Sequence, residues 1–231
     1  MATYVLIHGS GGDSGYWQFV VPELKARGHE VVAPDLPVED DSAVLQDYAD
    51  HVVKEIGDRT GLIVVAQSLA GFIAPIVCDQ VRADLLVFVN AMIPAPGETA
   101  GAWWGDTGVD QARHEADVAA GRDPNADFDP VAMFLHDLSP ERLAVAMAEQ
   151  PKPQSDTIFG QPYPLTEWPD VPTKILSGTL DRFFPIDFQR RVAKERLGIT
   201  PDTIESGHLP ALGHPVELVE QLEKYRVELG K

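Results

Sequence analysis

A serine lies where the sequence predicts a sharp turn between a strand and a helix. Ser68 follows the apolar run 62–65 and stands between Ala66 and Ala70 in the stretch Ala-Gln-Ser-Leu-Ala-Gly. Such a turn exposes the serine hydroxyl and aims the next backbone N–H, that of Leu69, at the oxygen of a reacting carbonyl. The positions two before and two after the serine must be small, although the usual motif has glycine, not alanine, in the first. An ordinary Gln-Ser turn fits the same pattern, so a base and a carboxylate have to be found elsewhere.

An aspartate and a histidine follow later predicted strands. Asp181 comes after the strand that ends at Leu176, and His208 comes directly after the last strand. In an open parallel sheet, reactive groups collect at the carboxyl ends of the strands. The chain order Ser68, Asp181, His208 is the order of a serine triad on a doubly wound α/β sheet. In that triad the histidine accepts the serine proton and the aspartate orients the imidazole.

Three further polar residues have plainer interpretations. Asp187 could replace Asp181 as the triad carboxylate, but its position just before a predicted helix favours a role as the helix cap. Asp35 lies in Pro-Asp-Leu-Pro, which is typical of a turn with a local side-chain hydrogen bond. His214 precedes a proline, and we expect this pair to begin the last helix.

Apolar runs and helical patterns alternate along the chain, which predicts an α/β fold with an open, mostly parallel sheet and helices on both faces. The predicted strands are 4–8, 29–33, 62–66, 85–89, 174–176 and 202–205. The predicted helices are 16–27, 42–56 with Ser42 as its cap, 68–81, 188–197 and 216–227. We therefore expect a doubly wound sheet of about six strands.

One long segment interrupts this alternation after the fourth strand. Residues 94–170 contain many prolines, no clear strand, and two helical patches at 109–120 and 140–148. A connection of this length inside a compact domain is typical of a functional lid.

Both ends of this segment return to the sheet. We therefore expect a single domain, with a core of residues 1–93 and 171–231 and an inserted helical lid. Trp103 and Trp104 lie in the lid, where they either line an apolar substrate pocket or pack the lid onto the core.

The sequence predicts neither a metal site nor a cofactor. Cys78 is the only cysteine, which excludes an intrachain disulfide and a cysteine cluster, and its apolar surroundings predict a buried, inert thiol. The pairs His114-Glu115 and His136-Asp137 lack metal-ligand spacing such as H-E-x-x-H, so we expect them to be solvated lid residues.

Charge and composition limit the classes of partner. The chain of 231 residues has 36 acidic and 18 basic side chains, a formal charge of −18, and 44% hydrophobic residues. Such a negative surface disfavours binding to nucleic acid and to anionic membranes. No apolar run has membrane-spanning length, and the first residues lack a basic region followed by an apolar signal core. The expected compartment is the cytoplasm.

With these motifs assembled, the chain resembles the α/β-hydrolase superfamily, in particular its small esterase and hydroxynitrile-lyase-like branch. The resemblance implies that Ser10 supplies a second backbone N–H to the oxyanion hole, beside Leu69, and that His8 is structural. The matching segments are 8–12 with Trp17, 32–37, 66–71, 178–185 and 207–215.

The resemblance also separates the possible chemistries. Lyases of this branch tend to carry threonine after the first histidine and lysine beside the catalytic one, where this chain has Gly9 and Leu209-Pro210. Ser68 excludes the aspartate nucleophile of haloalkane dehalogenases. Hydrolysis of a small to medium carboxylic ester is therefore favoured. A slow ligand-binding or signalling protein on the same scaffold, a hydroxynitrile lyase and a cofactor-free oxygenase are the alternatives, and the chain is expected to be a monomer or homodimer.

Overall fold

A six-stranded sheet forms the centre of the chain, whose computed structural model describes residues 1–149 and 151–230. Its strands are β1 (Thr3–Ile7), β2 (Glu30–Val32), β3 (Leu62–Gln67), β4 (Ala83–Val89), β5 (Thr173–Gly178) and β6 (Asp202–Ile204). They lie in the order β2-β1-β3-β4-β5-β6, and every neighbouring pair is parallel. The order reverses between β1 and β3, so the loops that follow these two strands meet at the carboxyl edge of the sheet. The predicted doubly wound α/β fold is confirmed.

Helices cover both faces of the sheet. The α-helices are α1 (Val20–Ala26), α2 (Leu45–Ile56), α3 (Ala74–Gln80), α4 (Ala100–Thr107), α5 (Val109–Ala119), α6 (Pro130–Phe134), α7 (Pro140–Ala148), α8 (Ile186–Leu197), α9 (Pro210–Gly213) and α10 (Pro215–Glu228). Helices α2, α3 and α8 pack on one face, and α1 and α10 pack on the other. Within the described ranges, no helix combines the length and the apolar character needed to cross a membrane.

Strand β3 illustrates why the strands are almost uninterrupted apolar runs. All six of its residues are buried, with Val64 and Ala66 in the core on one face and Ile63 and Val65 in the core on the other. A strand that is covered on both faces has no polar side, so alternation of polar and apolar residues is lost.

The start of α2 differs from the prediction. Val44, not Ser42, is the cap residue, and its N–H donates to the carboxylate of Asp47 at 2.9 Å. The Ser42 hydroxyl instead donates to Asp40 at 2.6 Å. Ser42 therefore stabilises the turn before the helix, and Asp47 satisfies the first free N–H.

Two predicted helices begin as tighter turns. A 3₁₀ turn at Ser14–Trp17 precedes α1, and another at Ser68–Phe72 precedes α3. His214 is the N-cap residue of α10, as predicted.

Helix α4 was not predicted. Its sequence, Ala-Gly-Ala-Trp-Trp-Gly-Asp-Thr, contains two glycines and no polar–apolar periodicity. Tertiary contacts and caps compensate: the Thr99 hydroxyl accepts a hydrogen bond from the N–H of Ala102 at 3.0 Å, and Trp103 is 1% exposed. The chain leaves the helix at Gly108, which has a left-handed backbone.

The segment after α7 ties the lid to the core. The N–H of Lys152 donates to the carbonyl of Gly11 at 2.9 Å, and the N–H of Ser155 donates to the carbonyl of Val38 at 2.7 Å. These bonds hold this part of the lid beside the loops that follow β1 and β2. The division into a core and a lid of residues 94–170 stays a prediction, and we use "lid" for that segment.

Glu223 on α10 joins a largely buried network with β1. It accepts hydrogen bonds from Tyr4 and Arg226, and its Oε1 lies 3.1 Å from Nε2 of His29. Burial opposes ionisation of Glu223, but the hydrogen bonds from Arg226 and Tyr4 and the contact with His29 outweigh it and lower its pKa to about 2.

We expect acid to weaken the fold through this network. The pKa of Glu223 is about 2 in the folded protein and 4.5 in the unfolded chain, so protonation favours the unfolded chain. The stabilisation is therefore complete above pH 4.5 and is lost as the pH falls from there towards 2. The loss amounts to at most about 3 kcal/mol in the free energy of unfolding. Urea titrations at neutral and acidic pH measure it. Glu223→Gln should remove this pH-dependent part of the free energy of unfolding, and Glu220→Gln, at an exposed position, should not. Equal acid sensitivity of both variants would contradict the expectation.

Candidate active site

Ser68 occupies the predicted turn at the carboxyl end of β3. Its backbone is left-handed, with φ 53°, a conformation that is uncommon for any residue but glycine. The carbonyl of Ser68 accepts a hydrogen bond from the N–H of Met92 at 3.0 Å, and the side chain is half-buried. A strained residue of this kind persists only where its surroundings hold it, and it is often functional.

Small residues around the serine are required by close packing. A Cβ at Gly71 would lie 1.7 Å from the carbonyl oxygen of Met92, so no other residue fits without moving the chain. Ala66 and Ala70 are fully buried. The alanine in the first small position of the motif is therefore accommodated.

The structure brings the three predicted triad residues together. Nε2 of His208 lies 3.1 Å from Oγ of Ser68, and Nδ1 of His208 lies 2.8 Å from Oδ2 of Asp181. The side chain of His208 is 3% exposed and that of Asp181 is fully buried. When Nδ1–H donates its hydrogen bond to Asp181, Nε2 is left with a lone pair directed at the serine hydroxyl, as proton abstraction requires.

The Asp181 carboxylate is held in one orientation. Its Oδ1 accepts hydrogen bonds from the N–H groups of Phe183 at 2.8 Å and Phe184 at 2.9 Å. The Gln189 amide donates to Oδ2 at 3.3 Å. Because the two backbone N–H groups occupy Oδ1, Oδ2 is the oxygen that faces His208.

Asn90, at the end of β4, binds both loops that carry the acid and the base. Its Nδ2 donates to the carbonyls of Gly207 at 2.9 Å and His208 at 3.1 Å, and its Oδ1 accepts from the N–H of Gly178 at 2.6 Å. Asn90 was not among the residues predicted from the sequence. The signal was a polar residue that directly follows a buried apolar strand, at the edge where the other site residues lie.

The turn after β1 passes close above the serine. A Cβ at Gly9 would lie 2.5 Å from Oε1 of Gln67 and 2.9 Å from Cβ of Ser68, so the glycine is sterically required. His8 is fully buried; its Nε2 accepts from the N–H of Leu36 at 3.2 Å, which leaves Nδ1 to donate to the carbonyl of Gly9 at 2.8 Å. Burial lowers the pKa of His8, so the ring is neutral and fixes the shape of the turn.

The two N–H groups expected to face an oxyanion belong to this region. Leu69 follows the serine directly, and Ser10 follows Gly9. Within the part of the chain that the structure describes, neither N–H donates to a protein acceptor. Both are therefore available to an external oxygen, which is the condition that an oxyanion hole must meet.

Aromatic rings surround the imidazole. The ring centroids of Phe183 and Phe184 lie 5.0 Å from that of His208, and the ring of the lid residue Phe134 lies 5.5 Å from it. These rings limit water around the base and present apolar surface beside it.

The two lid tryptophans lie behind this aromatic layer. Trp103 is buried, packs on Phe184 and Phe188, and donates from Nε1 to the carbonyl of Ile93 at 3.0 Å. Trp104 is half-buried and contacts Phe183 and Phe184. Their role as pocket residues stays a prediction.

The structure corrects the interpretation of two aspartates. Asp35 makes a distant hydrogen bond, accepting from the N–H of Ser14 at 2.7 Å, so it fastens the turn after β1 rather than its own turn. Asp187 does not cap α8, whose cap residue is Pro185; it lies in the first turn and pairs with Arg190 at 3.0 Å. The contact of His208 with Asp181 leaves Asp187 outside the site.

The residues considered as metal ligands behave differently from one another. His114 and Glu115 are exposed, as predicted, and Cys78 is buried with a pKa raised to about 12 by that burial. No group of three potential ligand side chains suited to a metal ion occurs among the described residues.

The expectation of solvated side chains was wrong for Asp137. Its side chain is 5% exposed, and Oδ2 accepts a hydrogen bond from the N–H of Gly207 at 2.6 Å. Nε2 of the neighbouring His136 is buried as well. The contact joins residues 70 positions apart in the chain, so local sequence gave no signal for it.

Comparison with known proteins gives a consistent family assignment. A sequence model of the alpha/beta hydrolase family matches residues 4–221. Methyl jasmonate esterase 1 of Vitis vinifera is 24% identical over 257 positions, covering 96% of this chain and 95% of that protein. The pyrethroid hydrolase of Sphingobium wenxiniae is 27% identical over 247 positions, covering 96% of this chain and 86% of that protein.

Solved structures share the whole fold. A pyrethroid hydrolase from Sphingobium faniae superimposes with a TM-score of 0.76 at 22% identity, over 98% of this chain and 97% of that one. Polyneuridine aldehyde esterase gives a TM-score of 0.77 at 20% identity, over 97% and 99% of the two chains. At these identities the likeness establishes the fold alone.

Proposed function

Because the chain belongs to the alpha/beta hydrolase family, we propose that it hydrolyses carboxylic esters through an acyl-enzyme formed on Ser68. It is a hydrolase of the carboxylesterase type, like the esterases it resembles. One observation supports the serine mechanism above all others. Asp181 contacts Nδ1 of His208 at 2.8 Å, and Nε2 of His208 contacts the hydroxyl of Ser68 at 3.1 Å. The backbone of Ser68 is strained.

In the first half of the reaction, Ser68 attacks the acyl carbon. His208 Nε2 takes the hydroxyl proton as the new carbon–oxygen bond forms, and the carbonyl oxygen becomes an oxyanion. The N–H groups of Leu69 and Ser10 stabilise that oxyanion, each by roughly 3 kcal/mol in the transition state. His208 then gives its proton to the leaving alcohol, and the acyl group stays on Ser68.

In the second half, water replaces the alcohol. His208 removes a proton from a water molecule as it attacks the acyl-enzyme, and returns that proton to Oγ of Ser68 when the acid leaves. Asp181 keeps the imidazole in the tautomer with Nδ1–H and stabilises the imidazolium that forms in each half. None of these reaction steps needs a cofactor.

The proposed substrate is a small to medium ester with an apolar part. The rings of Phe134, Phe183 and Phe184 beside His208 offer apolar surface and no charge to the group bound next to the serine. The relatives named for methyl jasmonate and for pyrethroids point to the same kind of small-molecule partner. The cytoplasmic location and the monomeric or homodimeric state stay predictions from the sequence.

A series of nitrophenyl esters from acetate to dodecanoate tests the proposal. We expect steady release of nitrophenol, with an optimum of kcat/KM at one acyl length because the lid bounds the acyl site. A single burst followed by negligible turnover on every ester would support the ligand-binding alternative instead. Activity that requires dioxygen would support the cofactor-free oxygenase.

A further inference from the structure

The lid carries a buried carboxylate against the loop that presents His208. Asp137 lies between α6 and α7, and its Oδ2 accepts a hydrogen bond from the backbone N–H of Gly207 at 2.6 Å. Nε2 of His214, which lies between α9 and α10, is 3.3 Å from this oxygen. Hydrogen bonds to an ionised acceptor are about twice as strong as those between neutral groups. A residue of the lid therefore binds the backbone N–H of the residue that directly precedes the base.

Two glycines shape the loop around this carboxylate. A Cβ at Gly207 would lie 2.5 Å from Oδ1 of Asp137, and a Cβ at Gly213 would lie 3.3 Å from Oδ2. A larger residue at position 207 would collide with the carboxylate. The close approach depends on glycine, whose backbone is also the freest to move when nothing holds it.

Gly207 is held from two sides. Its carbonyl accepts from Nδ2 of Asn90 at 2.9 Å on the sheet side, while its N–H donates to Asp137 on the lid side. Removal of the carboxylate would leave the buried N–H of Gly207 without an acceptor, and the Ser206–Gly207 peptide unit would keep only the hydrogen bond from the N–H of Leu180 to the carbonyl of Ser206 at 3.0 Å. Asn90 would still bind the carbonyls of Gly207 and His208, so we expect a small shift of the His208 backbone and not its release.

Arginines fasten the lid on either side of this contact. Nη1 of Arg182, which adjoins the triad aspartate, donates to the carbonyl of Ala132 at 2.8 Å. Nη1 of Arg142 donates to the carbonyl of Leu212 at 2.8 Å. Asp137 therefore approaches the loop from a lid segment that is itself anchored at both ends.

We propose that Asp137 is a positioning residue for His208, acting through the N–H of Gly207. The assignment rests on the proposed function, because it concerns the reaction of the same serine. Proton transfer depends on the 3.1 Å contact between His208 and Ser68, and a displacement of about 1 Å can cost roughly a hundredfold in rate. Since Asp137 binds the loop backbone, its loss changes the reaction step more than substrate affinity.

Two substitutions separate this role from general packing. Asp137→Ala should lower kcat on a nitrophenyl ester by roughly tenfold or more, with KM changed less than twofold. Asp137→Asn keeps an oxygen that accepts from Gly207 and should recover most of the rate. Glu115→Ala, which removes an exposed lid carboxylate bonded to Gln111, is the matched control and should keep the wild-type kcat.

A fluorophosphonate probe gives a second readout, because Ser68 displaces its fluoride without binding an acyl substrate. The labelling rate should fall with kcat in Asp137→Ala. An unchanged labelling rate, or an Asn variant as slow as the Ala variant, would overturn the assignment. If Asp137→Ala does not fold, Asp137→Leu repeats the test, since it fills similar volume and accepts no hydrogen bond. A wild-type protein inert to both esters and probe would refute the proposed function, and the assignment with it.

Discussion

Ser68→Ala is expected to abolish ester turnover and leave the fold intact. The substitution removes the oxygen that attacks the acyl carbon. Without it no acyl-enzyme forms, so His208 has no intermediate to hydrolyse. Loss of the nucleophile from a serine triad costs roughly 10⁵- to 10⁶-fold in kcat. Steady-state hydrolysis of the best nitrophenyl ester measures the loss, and mass spectrometry of the wild type after rapid quenching should detect an acyl adduct that the variant lacks.

Folding of this variant can be followed separately. The hydroxyl of Ser68 contributes one hydrogen bond, to His208, so the free energy of unfolding should change by only about 1 kcal/mol. Ser42→Ala, which removes an exposed hydroxyl bonded to Asp40, should keep full activity. Turnover by Ser68→Ala within tenfold of the wild type would rule out the serine mechanism.

Asp181→Asn should reduce kcat by roughly 10⁴-fold although it changes a single atom. Oδ1 of Asp181 faces the N–H groups of Phe183 and Phe184, so the amide oxygen has to take that position. The amide NH₂ then points at Nδ1 of His208 and donates to it. Nδ1 becomes an acceptor, the proton moves to Nε2, and the base can no longer accept the proton of Ser68.

The test of this tautomer argument compares two neighbouring aspartates. Asp187→Asn makes the same chemical change six residues away on the exposed surface of α8, and should keep wild-type kcat. The KM of Asp181→Asn should stay near that of the wild type, because the carboxylate lies behind the imidazole. Equal activity of Asp181→Asn and Asp187→Asn would contradict the assigned role.

The elements that local pattern determines were predictable from the sequence. Strand β3 is buried on both faces, so its apolar run is continuous and easily recognised. Ser68, Asp181 and His208 were each expected after a predicted strand, and in the structure they follow β3, β5 and β6, whose carboxyl ends lie at one edge of the sheet. The structure joins the three side chains by hydrogen bonds.

Contacts between distant segments were not predictable. The position of Asn90 directly after an apolar strand indicates where it lies, but nothing beside Asn90 or Asp137 in the chain indicates that both bind Gly207. Helix α4 forms against its weak propensity because Trp103 is buried in the core. In each case the stabilising partner is supplied by the fold, so a single sequence does not contain a local signal for it.

The hydrogen bonds of Asn90 have a consequence for how such a site can diverge. Asp181 and His208 are 27 positions apart in the chain, but their separation in space is set across the sheet. Asn90 at the end of β4 binds both loops, and the N–H of Leu180 donates to the carbonyl of Ser206 at 3.0 Å. Insertions or deletions in the turn between α8 and β6 are therefore expected to leave the spacing of acid and base unchanged, whereas α8 itself contributes to the site because Gln189 donates to Asp181. A single substitution at position 90, by contrast, disturbs both loops together.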